Sequence, residues 1–308
     1  MPAKLIAIRL AEALLALLLM SLVIFLLSRV TGDPVALLLG DGATEADKQA
    51  MIRELGLDQS LAAQYWHFLV NAVHGDFGRS VTAGRESALQ LVLSRLPASL
   101  SLAGVALAFT LAIGIALGVL AAVLHGSFAD VAIRLLSLIG QSVPSFWLGI
   151  VLIYIVSVKW GILPTSGFGG WKYYVLPAST LGLFTLAAVT RLVRASMLDA
   201  LGSEYVKLAR IKGVSEATVI WRHALSNSLI PVVTFMGTFF ATMITGAVVV
   251  ETVFAWPGIG RLAYESILSR DFPVIQAVVL VITALFIMAN LAVDFLYLAI
   301  DPRMREKG

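Results

Sequence analysis

The chain has 308 residues, 59% of them hydrophobic and 13% charged, against about half apolar and about a quarter charged in ordinary soluble domains. That balance excludes a soluble globular enzyme. There is no cysteine, so disulfides, thiolate metal sites and thiol catalysis are excluded too, and a net charge of +3 is too balanced to speak for nucleic acid.

Six runs, uncharged but for Asp130 at the end of the second, follow in chain order: 13–28, 96–130 (most apolar at 100–124), 135–158, 173–190, 224–250 and 272–293. A helix of about 20 residues crosses a hydrocarbon core of about 30 Å, so these runs predict an all-α integral membrane protein with six transmembrane helices. The first run is short and extends backward through Leu5 and Ile8 if Arg9 and Glu12 sit near the interface. A cleaved signal peptide competes for it, since Lys4 and Arg9 precede an apolar stretch, but the stretch is long and no A-x-A-like site follows. We read it as an uncleaved span.

Orientation follows from Lys and Arg in the short segments. The N-terminus, the second and fourth loops and the C-terminal tail hold twelve, including Arg134, Arg191, Arg194, Lys207, Arg210, Lys212 and Arg222. The short segments of the other side hold four, Lys159, Lys172, Arg261 and Arg270. Both termini are therefore expected in the cytoplasm. In the long outer segment 29–95, Thr44 followed by Asp47 predicts a capped helix that stops at Gly56. A second helix is expected from Asp58 or Ser60 to about Val73, with Leu61, Tyr65, Phe68, Leu69 and Ala72 on one face packed onto the spans.

The chain carries no engine of its own. A P-loop needs Lys followed by Ser or Thr, and none of the seven lysines is so followed, which places any ATP chemistry on another polypeptide. Ion coupling calls for carboxylates or histidines near the midplane; the spans offer only Asp294 and Glu251, toward the ends. An intramembrane serine protease would need a G-x-S-G turn, yet Ser166-Gly167 follows Pro164-Thr165. His67, His74, His125 and His223 fall in loops or at a span edge and build no metal shell. No catalytic residue and no metal site is expected.

Three spans carry polar or small-residue features. Asn227, Pro231, Thr234, Thr238, Thr242 and Thr245 form one stripe along the fifth span, which either lines a polar pathway or bonds back to carbonyls and neighbouring helices. Gln141-Ser142-Val143-Pro144-Ser145 interrupts the third span, because Pro144 removes a backbone donor; a solute-facing hinge and a tolerated kink both fit. Gly114 and Gly118 form a G-x-x-x-G that allows close helix approach. Trp160, Trp171, Tyr173 and Tyr174 fit an aromatic belt, and Asn290 and Asp294 share a face of the last span.

The fourth loop, 191–223, has six Lys or Arg and three acids over 33 residues, far more than a connection needs. It reads as a helix over 201–212, a turn at Gly213, and a new helix that Ser215 starts ahead of the fifth span. Glu204-Tyr205-Val206-Lys207-Leu208-Ala209-Arg210-Ile211-Lys212-Gly213 and the following Arg222 to Pro231 resemble the EAA loop of binding-protein-dependent ABC importer permeases. More narrowly they are similar to the peptide/nickel branch, the dipeptide and oligopeptide permease B-like subunits. The likeness extends over the chain in an ordered set: Gly32-Asp33-Pro34, 75–80, Arg95-Leu96-Pro97, 142–147, 163–167, 251–261 and Asp301-Pro302-Arg303. It departs where the general Glu-Ala-Ala reads Lys207-Leu208-Ala209, so Lys207, Arg210 and Lys212 are expected to offer a basic face to an acidic partner.

The resemblance implies a type I ABC importer transmembrane fold. Residues 1–94 would be the first span plus an external segment, 95–300 the core with its coupling loop at 191–223, and 301–308 a cytoplasmic tail. It further implies a permease subunit of the bacterial inner membrane, without a catalytic site or cofactor of its own. Its partners would be a second permease, two cytoplasmic ATPases that hold ATP and Mg, and an external binding protein that delivers peptides or similar solutes. Glu204, Lys207, Ala209, Arg210, Lys212, Gly213 and Ser215 would couple to the ATPases, and Gln141, Ser142, Pro144, Asn227, Thr234, Thr238, Thr242 and Thr245 would line the pathway. Glu251, Trp256 and Arg261 would gate the outer mouth or meet the binding protein. The alternative is an ion-coupled carrier or a channel with no ATPase. Dipeptide, oligopeptide, glutathione, nickel chelate and sugar are not distinguished by this chain.

Overall fold

The structure, a computed structural model, describes residues 3–31, 39, 44–54 and 56–300, without the side chains of 3–6, 31, 54, 234, 236–238, 241, 242, 245 and 294–300. Gly32-Asp33-Pro34 and the tail 301–308 lie outside it. The uncharged runs fall on long helices: α1 (Ala3–Thr31), α4 (Ala88–Val123), α7 (Lys172–Gly202), α9 (Leu225–Val253) and α11 (Phe272–Ile300). The third run is two helices, α5 (Phe128–Ser142) and α6 (Ser145–Leu152), with α6 continued by a π-helical stretch, Ile153–Lys159. Helices α1, α4, α7 and α11 are long and apolar enough to cross a membrane, and α5 with α6 and its π-helical continuation passes the same test only as a pair, bent by 105°. The expected kink at Pro144 is thus a near right-angle turn. Pro144 caps α6 with φ −62° and lacks the amide hydrogen that would continue α5.

Helices α4 and α7 make the most extensive contact of the bundle. Between apolar helices in lipid there is no water to expel, so association rests on close packing of small residues. A methyl group on Gly118 would come within 2.6 Å of Val193 Cβ and 2.8 Å of the Thr190 carbonyl oxygen, and one on Gly114 within 2.9 Å of Val189. The G-x-x-x-G pair is therefore the seam on which the two helices touch. Around this seam, Val119, Val193, Met197 and Leu225 bury one apolar cluster, and Leu102, Phe254, Trp256 and Ile259 another. Helix α10 (Ile259–Leu268) wedges between α9, α11 and α4, while α1 lies outside on α11, tied by Gln276 Nε2 donating to Ser28 Oγ at 2.8 Å.

The segment between α1 and α4 follows its local signals where it is described. Thr44 and Asp47 form the reciprocal capping box, the Thr44 amide donating to Asp47 Oδ2 at 3.0 Å and the Asp47 amide to Thr44 Oγ1 at 3.3 Å, and open α2 (Glu45–Glu54). Gly56, at φ +64°, ends it, and the Leu57 amide closes back on the Ile52 carbonyl at 2.8 Å. Ser60 caps α3 (Leu61–Val73). Tyr65 and Phe68 pack against Phe25 of α1, with ring centroids 5.4 and 5.7 Å away, whereas Leu61 stays exposed, so the packed face begins one turn later than its spacing predicts. The aromatic belt also divides: Trp160 and Trp171 are exposed, but Tyr174 packs edge-on to Trp256 at 4.6 Å.

Candidate functional site

At the basic end of the bundle, α7 does not stop where its uncharged run stops. It continues without a break from Thr190 to Gly202, because Val193, Met197 and Ala200 keep it packed. The break falls at Ser203, in extended conformation (ψ 155°), so the helix expected over 201–212 is the end of α7 and then a separate α8 (Glu204–Ile211). Gly213 takes φ +76°, a conformation that side chains with a Cβ adopt at a cost, and the Val214 amide returns to the Ala209 carbonyl at 3.2 Å. Ser215 caps the turn Glu216–Thr218. A π-helical stretch, Val219–Ala224, then leads into α9.

Helix α8 is anchored by Val206, which is fully buried, while Tyr205, Leu208 and Ile211 are uncovered, Ile211 to 83%. The expected basic face is partly spent inside the arm: Lys207 Nζ lies 2.8 Å from Glu204, and Arg210 Nε lies 2.7 Å from Glu216 across the Gly213 turn. Hydrogen bonding to Arg210 holds the Glu216 carboxyl below its ordinary value and raises the guanidinium in return. Of the three cations, Lys212 has no acid at ion-pair distance among the described residues. Ala209 is half-buried and Ser215 exposed. What the arm presents outward is an apolar ridge with one free ammonium.

Cavities lie beside α5 and the α5–α6 bend. One, about 410 Å³, is lined by Gln141, Ser142, Pro144, Thr180, Phe184 and Phe239, among others. A second, about 760 Å³, is lined by Leu135, Leu138, Gln141, Leu192 and Phe235 together with Arg134, Arg191 and Arg194. Gln141 belongs to both, and its Oε1 accepts from Arg191 Nη1 at 2.6 Å. Asn227 lines neither; its amide donates back to the His223 carbonyl at 2.9 Å. The side chains of Thr234, Thr238, Thr242 and Thr245 lie outside the described residues, although their backbone belongs to α9. Asn290 likewise bonds back, to Phe286, at 2.9 Å, and the side chain of Asp294 is outside the description.

The sequence reading missed a cluster next to the larger cavity. Asp130, fully buried, accepts from Arg194 Nε at 2.6 Å and Nη2 at 2.8 Å and from the Gly126 amide at 3.1 Å, with Arg134 Nε at 3.3 Å and His125 Nδ1 at 3.4 Å. This carboxylate clamps the α4–α5 turn to α7. Its sequence signal was a lone acid inside a loop otherwise counted only for its cations.

At the opposite end, Glu251 and Trp256 are enclosed, contrary to the exposed role expected of them, because the turn after α9 folds back on α4. The Glu251 carboxylate accepts from Ser99 Oγ at 2.6 Å and from the Arg261 amide at 3.0 Å, and both it and Trp256 are 0% exposed. Trp256 Nε1 donates to the Ala98 carbonyl at 2.9 Å. Only glycine fits at 258, where a Cβ would collide with the Glu251 carboxylate. Arg261 alone of the three is partly exposed, with its guanidinium on the Ala255 carbonyl at 2.8 Å and on Glu265 at 2.7 Å. Nearby, buried Asp271 accepts from the Ser80 hydroxyl, from the Val81 and Thr82 amides at 3.0 and 3.2 Å and from Thr82 Oγ1 at 2.9 Å, fastening the outer segment to the start of α11.

Comparison with known proteins agrees with this architecture. Residues 114–306 match the family described as the binding-protein-dependent transport system inner membrane component, and residues 3–103 match its N-terminal companion family. The glutathione transport system permease protein GsiC of Escherichia coli K12 is 42% identical over 300 residues, 97% of this chain and 98% of that protein. A Brucella melitensis protein, provisionally named a peptide transport system permease, is 41% identical over 99% of both chains. Among solved structures, the MetNI methionine ABC transporter in inward-facing conformations shares the fold, with a TM-score of 0.58 at 19% identity over 69% of this chain and 97% of that one. An amino acid ABC transporter solved with histidines gives 0.52 at 17% identity, over 68% and 93%. The chain belongs to the inner-membrane permeases of binding-protein-dependent ABC importers, in their peptide/nickel-type branch.

Proposed function

We propose that the chain forms, with a second permease, the route by which peptides or similar small solutes delivered by an external binding protein cross the inner membrane. Two cytoplasmic ATPases would seat on the arm 191–223 and supply ATP hydrolysis with Mg. The observation that carries this is α8. It is held to the bundle through Val206 yet leaves Tyr205, Leu208 and Ile211 uncovered beside Lys212, on an arm continuous with α7 at one side and α9 at the other. An apolar ridge of that kind on a soluble loop is a surface for a partner. Glu204, Lys207, Arg210, Gly213 and Ser215 set its shape, and the cation asymmetry of the loops supports a cytoplasmic position for it and for both termini. The names of the glutathione and peptide permeases support the solute class.

Gln141, Ser142 and Pro144 line the cavities at the bend, and with Asn227, Thr234, Thr238, Thr242 and Thr245 they mark the solute route; Arg261 belongs to the outer mouth. Closure of the ATPases would draw the two arms together and turn the bundle from inward- to outward-facing, a two-state coupling between nucleotide and solute sites. Purification of the tagged chain from a cell that expresses its whole transport system tests this. An ATPase is expected to copurify, and uptake into vesicles to require ATP and the binding protein. Uptake that persists without ATP and collapses with the ion gradient would replace this reading with the ion-coupled carrier.

A further inference from the structure

The larger cavity holds more positive charge than the fold consumes. Three arginines line it, and one carboxylate, Asp130, answers for two of them: Arg194 is held in a two-pronged pair, and Arg134 leans on the same oxygen. Among the described residues Arg191 has no carboxylate at ion-pair distance. Its described partner is the neutral amide of Gln141 across the gap between α7 and α5, and its side chain is exposed on the cavity side. The rest of the wall is apolar, from Leu135, Leu138, Leu192 and Phe235. A guanidinium in such a cleft focuses an attractive field on anions and presents a planar fork that matches a carboxylate. About 760 Å³ is within the range of small-ligand sites, about 300–1,000 Å³.

We infer that Arg191, positioned by Gln141, is a carboxylate-reading residue of the solute route, so that the inner half of the pathway favours cargo with a free carboxylate such as a peptide C-terminus. The inference rests on the permease reading above, which puts this cavity on the solute's path. An anionic lipid headgroup offers the same chemistry to the same fork, and the test separates the two.

The complete transporter, with its second permease, ATPases and binding protein, is reconstituted in vesicles, and uptake of the tripeptide Ala-Ala-Ala is measured. Loss of one charge-assisted hydrogen bond corresponds to about tenfold, so Arg191→Gln is expected to slow uptake about tenfold while ATP hydrolysis stimulated by the binding protein persists. Arg191→Lys keeps most of the rate. Because the chain has no cysteine, Arg191→Cys gives it a single thiol. Labelling that thiol with a methanethiosulfonate bearing an ammonium group is expected to restore uptake and labelling with a sulfonate group is not, with the equally treated parent complex as control. Parental uptake in Arg191→Gln overturns the inference, as does equal rescue, or equal failure, with both reagents. A defect present in vesicles containing phosphatidylglycerol and absent in pure phosphatidylcholine also overturns it and assigns the cation to headgroups. A parent complex with neither ATP-dependent uptake nor stimulated hydrolysis refutes the permease reading, and the role of Arg191 in a solute route falls with it; a parent complex that transports while Arg191→Gln is unaffected overturns the role alone.

Discussion

Single residues at the end opposite the basic arm show how a membrane protein keeps carboxyl groups buried. Glu251 satisfies a hydroxyl and an amide hydrogen of two other segments, so its removal leaves donors stranded, each at about 1–3 kcal/mol. Glu251→Ala is expected to destabilise the bundle by about 3 kcal/mol, and Glu251→Gln, which keeps an acceptor, by about 1 kcal/mol. Thermal unfolding of the purified complex in detergent reads both, and equal melting of Glu251→Ala and the parent would remove the carboxylate from the fold's support. The long-range bonds could not be read from the sequence, because Ser99 stands about 150 residues from Glu251 and the partners of Asp271 about 190 residues away and no local pattern announces them. The caps at Thr44, Ser60 and Ser215 were legible for the opposite reason: each bond spans three residues, so the spacing itself specifies the contact.

Among elements, the α4–α7 seam and the elbow at Gly213 make separable demands. Gly118→Val would drive side-chain atoms into Val193 and the Thr190 carbonyl, and overpacking of this kind costs about 1–3 kcal/mol; the expected result is lower yield and earlier melting of the complex, with any surviving transporter still coupled. Gly213→Pro acts otherwise. Proline fixes φ near −65° where the chain needs +76°, and it removes the amide hydrogen that bonds to Arg210 at 3.0 Å. The bundle should assemble, while uptake per ATP hydrolysed falls by about tenfold or more, by analogy with other disrupted two-state couplings; unchanged uptake per ATP would deny the elbow its role. Helices and this turn were visible in composition and in Gly213 itself. The extension of α7 to Gly202 was not, because burial of Val193, Met197 and Ala200 overrides the polar character of that stretch, and neither were the π-helical stretches at 153–159 and 219–224, which carry no residue signature of their own.

For the whole molecule, the proposed function assigns the route to the cavity lined by Pro144 and to the threonine spacing of α9. Replacing Thr238 and Thr242 together by Val keeps shape and removes two hydroxyls, so uptake is expected to slow several-fold with hydrolysis maintained, at about 1 kcal/mol per hydrogen bond lost; parental uptake would take the stripe off the route. The family and the membrane architecture were legible in the ordered motifs. The charge balance inside the larger cavity was not, since Arg134, Arg191 and Arg194 look alike in the sequence until Asp130 is seen to claim two of them.

The unbroken run of α7 past its uncharged stretch has a mechanical consequence. From Thr190 to Gly202 the helix projects about 18 Å at 1.5 Å per residue, with its tightest contact, Val189 and Val193 against Gly114 and Gly118, at the root of that projection and Thr180 and Thr185 on the cavity wall beyond it. A rigid tilt of about 10° at that contact would carry the Gly202 end roughly 3 Å and turn the cavity wall the other way, and the Asp130–Arg194 pair and the packed Val193, Met197 and Ala200 would bring the α4–α5 turn along with it.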